Sequence, residues 1–362
     1  MSTKPAPQKA SLQAERTTLT EHLLNLEASY KAFEHLITAN NDFFIRDHFA
    51  QPDIPPADWR LHIEGAVGRS APFSLEDLKS MPSSTETAAI ECAGNGRTFL
   101  NQCEGLQWSL GAVGCAEWTG VSLHRLLEQA DLLPEAVEVI FEGADHGMPE
   151  KPTRPKHEIH FSRSLPISVA MRPEVLLAYQ MNGVDLPAEH GGPVRLIVPG
   201  WYGTTYVKWL ERIIASTHRF RGYFQTVEYV YWKTDDANSP ERVPVSDLRA
   251  KSQIACPLPH EQVRRDASYK VFGTAWTSEG KITSVEVSSD GGNTWHTAEL
   301  RGDPANHGWQ PWAWTWTPQA TGLHTLMSRA TDSNGRTQPL EHDEDYENYA
   351  INHTFPIVVK VI

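Results

Sequence analysis

Cysteine is scarce in this chain: four in 362 residues, at positions 92, 103, 115 and 256, with no C-x-x-C pair and no histidine spaced as in a zinc finger. That argues against a structural zinc site and against a disulfide-stapled secreted scaffold, so reduced thiols are expected. Long apolar runs are missing too, and no stretch approaches the roughly 20 residues that a bilayer-spanning helix requires. Basic charge is in deficit, with 32 Lys and Arg against 45 Asp and Glu and a formal net charge of −13. Such a surface repels a phosphate backbone and sets nucleic acid aside as a partner. Neither the G-x-x-x-x-G-K-[ST] loop nor a G-x-G-x-x-G turn occurs, which removes support for nucleotide binding. Residues 1–20 carry no apolar signal-peptide core and no twin arginine, so a soluble, cytoplasmic chain is expected, with a periplasmic one open if the N-terminus is processed.

What is present is enough apolar material for a sizeable core: 40% hydrophobic residues, including 12 Trp, 10 Tyr and 12 Phe. The Trp content suggests buried aromatic layers or a lined pocket. The segment from Ser11 to Phe33 spaces its apolar residues as a helix does, so residues 1–40 read as a helical extension. Residues 41–245 mix short strand patterns such as RLHIEG with helical ones such as SLEDLKSM, an α+β domain. Ser74, with Asp77 three residues on, resembles a capping box, whereas Ser122 with Arg125 does not. A proline-rich stretch at 239–262 reads as a linker. From 246 to 362, alternating runs such as ITSVEVS and WAWTW, punctuated by Gly, Asn and Asp, suggest an all-β immunoglobulin-like sandwich. The acidic run at 341–348 has no calcium-loop spacing and reads as a solvated loop.

Three runs carry candidate chemistry. In NDFFIRDHF, Phe44, Arg46 and His48 alternate along one face of an extended segment, which on its own also fits a half-buried strand. In AAIECAGNGRTFL, Cys92 stands where a strand meets a Gly94 and Gly96 turn. A thiol so placed is accessible to a metal or an electrophile, and Arg97 could lower its pKa; a small buried hydrophobe is the competing reading. In AEHGGPVRLIVPGWYGTTYVKWLERI, glycines after His190 and before Lys208 permit close backbone approach to a ligand, and Arg195 and Lys208 suit its anionic groups.

Together these runs resemble the sulfite oxidase family of molybdopterin-dependent oxidoreductases. The resemblance rests on F-x-R-x-H at 44–48, ECAGN-x-R at 91–97, EHGGPVR at 189–195, and PGWYG followed by VKWL at 199–210. SSDGGNTW at 288–295 and WAWTW at 312–316 look like that family's dimerisation domain. The resemblance implies a molybdopterin-binding domain followed by the sandwich, a homodimer, and a molybdenum–molybdopterin cofactor. No segment resembles a cytochrome b5 domain and no C-x-x-C-H occurs, so no haem is expected. Cys92 matches the family's thiolate ligand to the metal. Phe44, Ile45, Arg46, Asp47, His48, Asp145, His190, Arg195, Tyr206, Val207 and Lys208 fall where the family holds the pterin and its phosphate. Arg46 and Arg97 match substrate cations, and Tyr229 aligns with the catalytic tyrosine, with Tyr223 and Tyr231 as alternatives.

The implied reaction is oxidation of a small oxyanion, sulfite to sulfate, by oxygen-atom transfer, with electrons passing to a separate acceptor, cytochrome c or dioxygen. A molybdenum reductase acting on nitrate or a sulfoxide, or oxidation of another sulfur compound, is the alternative; a cofactor-free binding module with Cys92 merely packed is the third. Two departures bear on the substrate. Gln310 and Pro311 stand where the family pattern has an arginine before its paired tryptophans, which predicts a missing substrate cation, with His307 or Arg301 as replacements. Thr205 stands where animal members often have arginine.

Overall fold

The computed structural model describes residues 16–20, 23–101, 103–149, 154–234 and 239–362, and its first unit is built on two sheets. One orders Val184–Asp185, Leu176–Met181, Val113–Ser122 and Ser83–Glu91, with Arg195–Ile197 also paired to Leu176–Met181. The other orders Pro72–Ser74, Arg60–Gly65, Leu210–Ser216, Glu138–Gly147 and Ile159–Pro166, with only Leu210–Ser216 and Arg60–Gly65 parallel. The RLHIEG strand shows why the pattern folds this way: Leu61 and Ile63 are buried while Arg60 and His62 face out, the period of two that a pleat imposes. Helices are short. Ser74 caps Leu75–Ser80 as expected, its hydroxyl accepting from Asp77 N at 3.1 Å while the Asp77 carboxylate accepts from Ser74 N at 2.8 Å. Ser122 instead donates to Pro173 O at 2.7 Å and caps nothing.

The N-terminal helix is not formed where the chain is described. Thr17–Thr20 and Asn25–Glu27 are strands, joined by Ile45–Arg46 into a three-stranded sheet, and Tyr30–Glu34 is a 3-10 turn. Residues 11–15 and 21–22 of the expected helix lie outside the described residues. Tertiary bonds override the helical spacing: Asn25 Oδ1 accepts from Asp47 N at 3.1 Å, and the buried Glu27 carboxylate accepts from Ser109 Oγ at 2.7 Å. The β-branched threonines at 17, 18 and 20 favour the extended form.

The stretch at 239–262 is not a linker either. Pro240–Pro244 forms a hairpin with Val230–Thr234, and Lys251–Cys256 pairs with Tyr269–Trp276 in the sandwich. Its prolines are tolerated because they sit at strand ends and on an edge. The sandwich packs Lys251–Cys256, Tyr269–Trp276, Gln310–Trp316 and Glu299–Leu300 over Gln262–Val263, Ile357–Val361, Gly322–Asp332, Ile282–Ser288 and His296–Thr297. Val271, Val285, Val287, Leu326 and Ala330 from both sheets are fully buried between them. Trp59, Trp108, Trp118, Trp209, Trp276, Trp309 and Trp312 are among the largest fully buried side chains, so the aromatic content serves the core of both units. Among the described residues no helix is long and apolar enough to cross a membrane.

Candidate active site

The strand Ser83–Glu91 ends at Cys92, which is 7% exposed, and the turn that follows is tied down from both units. Asn95 N donates to Cys92 O at 2.9 Å, and Gly96 takes φ +100°, a left-handed conformation that a side chain would strain. Beneath the turn, Glu91 is fully buried and accepts from Lys251 Nζ at 2.6 Å, Trp276 Nε1 at 2.8 Å and Asn95 Nδ2 at 3.1 Å. Lys251 also donates to Asn95 O at 3.0 Å. Lys251 and Trp276 come from the sandwich, so the second unit holds the loop that presents Cys92. Burial pushes the Cys92 thiol up, and the nearby Arg97 and Arg46 guanidiniums pull it back.

Cys92 opens onto a cleft with about 670 Å³ of space between its atoms, within the range of cofactor sites. The expected residues Phe44, Ile45, Arg46, His48, Asp145, His190, Arg195, Tyr206, Lys208 and Tyr229 line it. Asp47 and Val207 are buried behind its wall: Asp47 pairs with Lys208 Nζ, and Val207 O accepts from Leu196 N at 2.9 Å. Lys208 also donates to Glu189 O at 3.1 Å and lies 4.1 Å from the Trp209 ring centre. Gly191 at φ +101° lets the chain pass beside Lys208, where a Cβ would meet the lysine side chain at 2.8 Å. Burial pushes His190 down to about 3, so it is neutral, and its Nε2 donates to Asn40 O at 3.0 Å. Arg195, lowered to about 10 by burial, donates to His190 O at 2.7 Å and to Tyr206 O at 3.2 Å.

On the outer side, Arg46, His48 and Tyr229 border both this cleft and a wider vestibule that opens beyond them. Tyr229 Oη lies 2.5 Å from His48 Nε2, and burial holds the phenol well above its ordinary range, against the pull of Arg46. Arg46 donates to Asn25 Oδ1 at 3.3 Å. The alternatives stand elsewhere: Tyr231 stacks on Tyr346 at 4.5 Å, and Tyr223 packs edge-on against Phe224 at 5.2 Å. Arg97 borders the vestibule rather than the inner cleft. Its Nε donates to Asn348 O at 3.0 Å, its Nη1 to Leu106 O at 3.2 Å, and its guanidinium lies 5.1 Å from the Tyr349 ring centre.

Sequence reasoning missed Tyr349, whose ring centre is also 5.0 Å from that of Tyr229. The acidic run at 341–348 is therefore not wholly a solvated loop, because its last residue bonds Arg97 and it delivers Tyr349. Thr204, Glu189, Ile90 and Phe161 also line the cleft. The first two sit inside the glycine-rich run already singled out and Ile90 inside the run around Cys92; Phe161 carries no signal beyond an ordinary strand pattern. The substituted positions are in neither cavity. Gln310 lies in a strand paired on both sides, its Nε2 donating to Arg301 O at 2.8 Å, so no cation is lost from the cleft there. His307 is beside Ser278 O at 3.2 Å and Arg301 pairs with Glu299 at 3.4 Å, so neither replaces one.

The lining itself tests whether a pterin cofactor fits. Asp145 Oδ1, Arg195 Nε, Thr204 Oγ1 and Tyr206 Oη all belong to the cleft, are buried, and have no hydrogen-bond partner among the described residues. Thr205 Oγ1, just behind, is in the same state. Each such atom costs about 1–3 kcal/mol, so a concentration of donors and acceptors in one cleft marks where a polar group belongs. A pterin with its amide, amine and phosphate groups supplies both kinds of partner, and the residues present fit it.

Residues 48–224 match the family described as "Oxidoreductase molybdopterin binding domain", and residues 242–361 match "Mo-co oxidoreductase dimerisation domain". The chain is 35% identical to sulfite oxidase of Gallus gallus over 328 residues, 84% of this chain and 69% of that protein. It is 36% identical to mitochondrial sulfite oxidase of Homo sapiens over 327 residues, covering 84% of this chain but 58% of the human protein. Nitrate reductase (NADH) 1 of Arabidopsis thaliana is 32% identical over 357 residues, 88% of this chain and 38% of that one. The solved structure of the sulfane dehydrogenase SoxCD from Paracoccus pantotrophus superposes with TM-score 0.83 at 30% identity, covering 96% of this chain and 88% of that chain. The two domains in this order define a molybdopterin-dependent oxidoreductase. The chain belongs to the sulfite oxidase family.

Proposed function

We propose that this chain oxidises a sulfur oxyanion, with sulfite as the simplest substrate, at a molybdenum–molybdopterin cofactor ligated by Cys92. The observation that carries the reading is the joint placement of Cys92, Arg46 and Tyr229 on one cleft whose inner wall is rich in unpartnered buried polar atoms. When bound, the cofactor supplies two-electron redox chemistry and the oxygen that is transferred. Cys92 would hold the metal through its sulfur, which opens onto the cleft. Lys208, Arg195, Thr204 and Asp145, which line the inner cleft, would hold the polar groups of the cofactor, the cations suiting its phosphate. Arg46 binds the substrate oxyanion by a charge-assisted hydrogen bond. Tyr229, kept protonated, donates to an oxyanion oxygen or to His48, which orients it. Arg97 braces Tyr229 through Tyr349 and contributes positive charge from the vestibule side.

The dimerisation-domain match supports a homodimer, and a separate acceptor such as cytochrome c or dioxygen takes the electrons. The relatedness to nitrate reductase keeps one second reading, a reductase acting on nitrate. Molybdenum-loaded protein assayed with sulfite and ferricyanide, against dithionite-reduced protein with nitrate, separates the two. Sulfite-dependent ferricyanide reduction supports the reading; nitrate turnover alone replaces it.

A further inference from the structure

The vestibule outside Tyr229 is larger than a bare oxyanion needs. It holds about 1610 Å³ of space including its mouth, and Leu19, Leu23, Phe49, Leu106 and Phe224 give it apolar walls. The formal charges among its lining residues balance, Arg46 and Arg97 against Glu104 and Glu228. Arg97 is further committed to two backbone carbonyls, at 3.0 and 3.2 Å. A dianion gains little from a cavity of near-zero net charge, whereas one negative charge on Arg46 with an uncharged apolar group behind it matches both the charge count and the walls. We propose, resting on the sulfur-oxidation reading above, that the enzyme accepts organic sulfinates, R–SO2⁻, with the oxyanion head at Arg46 and Tyr229 and the substituent R in the vestibule. The reaction balances as R–SO2⁻ + H2O giving R–SO3⁻ + 2 H⁺ + 2 e⁻. One S–O bond forms at the sulfur lone pair, both O–H bonds of the water break, no C–S bond breaks, and the two electrons pass singly to two equivalents of ferricyanide in the assay.

The test uses molybdenum-loaded protein and compares sulfite, methanesulfinate and benzenesulfinate by kcat/KM with ferricyanide. Each methylene equivalent buried is worth roughly a fourfold gain, so benzenesulfinate should exceed methanesulfinate at least tenfold. Leu106→Glu and Leu23→Glu, on separate segments, should each lower the benzenesulfinate-to-sulfite ratio of kcat/KM at least tenfold. Calorimetry of benzenesulfonate binding, which needs no turnover, should show the same loss in both variants. Sulfite turnover without sulfinate turnover, or ratios and binding unmoved in both variants, overturns this inference alone. Turnover of neither sulfite nor sulfinate overturns the sulfur-oxidation reading and this inference together.

Discussion

Replacing Lys251 by methionine probes how the second unit supports the first. Lys251 Nζ sits 2.6 Å from Glu91 Oε1 with both side chains essentially unexposed, and it also donates to Asn95 O at 3.0 Å. Methionine fills similar volume but leaves the Glu91 carboxylate buried with only the Trp276 and Asn95 donors, at 2.8 and 3.1 Å. Removing one partner of a buried pair costs about 3–5 kcal/mol, because the remaining charge keeps its desolvation penalty. Lys251→Met should therefore lose about that much in urea unfolding, and its molybdenum content should fall because the Asn95 carbonyl loses its tether. Adding Glu91→Gln to the same chain removes the stranded charge and should recover at least half of the loss, a coupling read from the double-mutant cycle. A single variant within about 1 kcal/mol of the wild type would refute the reasoning.

Cys92→Ser should keep most of its pterin, measured by fluorescence after oxidation, while kcat for sulfite falls at least about a hundredfold, because a hydroxyl is a poor substitute for thiolate on a soft site. Tyr229→Phe should lower kcat by roughly ten- to a hundredfold with molybdenum content unchanged, within the span of a single proton-donating group; equal loss of cofactor would make the residue structural. In chain prepared without cofactor, burial and Asp47 push Asp145 up to about 7 despite Lys208. A carboxyl raised above its unfolded value near 3.9 is held protonated by the fold, so stability drops as pH rises from about 4 through about 7. Asp145→Asn should then be more stable by up to about 4 kcal/mol near pH 8, shrinking to roughly 1.5 kcal/mol near pH 5; an advantage that does not grow with pH contradicts the assignment.

Much of the cleft was legible because its residues come in local runs. Phe44, Arg46 and His48 alternate along one short segment and all line the cleft, and His190 to Lys208 lie on one glycine-rich excursion, so short motifs carried them. What escaped is joined across long stretches of chain. Lys251 meets Glu91 over 160 positions and Asn25 meets Asp47 over 22, and no motif announces either contact. Tyr349 was hidden beside an acidic run whose composition speaks only of solvent. The N-terminal segment failed for another reason: its apolar spacing fits a helix, but Asn25 and Glu27 bond to the core from strand geometry, and those bonds are invisible to periodicity. Arg97, expected among the substrate cations, borders the vestibule and bonds two backbone carbonyls that no motif announces.

X-ray absorption at the molybdenum edge tests the central claim most directly. Loaded wild-type protein should show three sulfur neighbours, two from the dithiolene and one from Cys92, and Cys92→Ser should show two. The same sulfur count in both proteins would contradict the assignment of Cys92 to the metal.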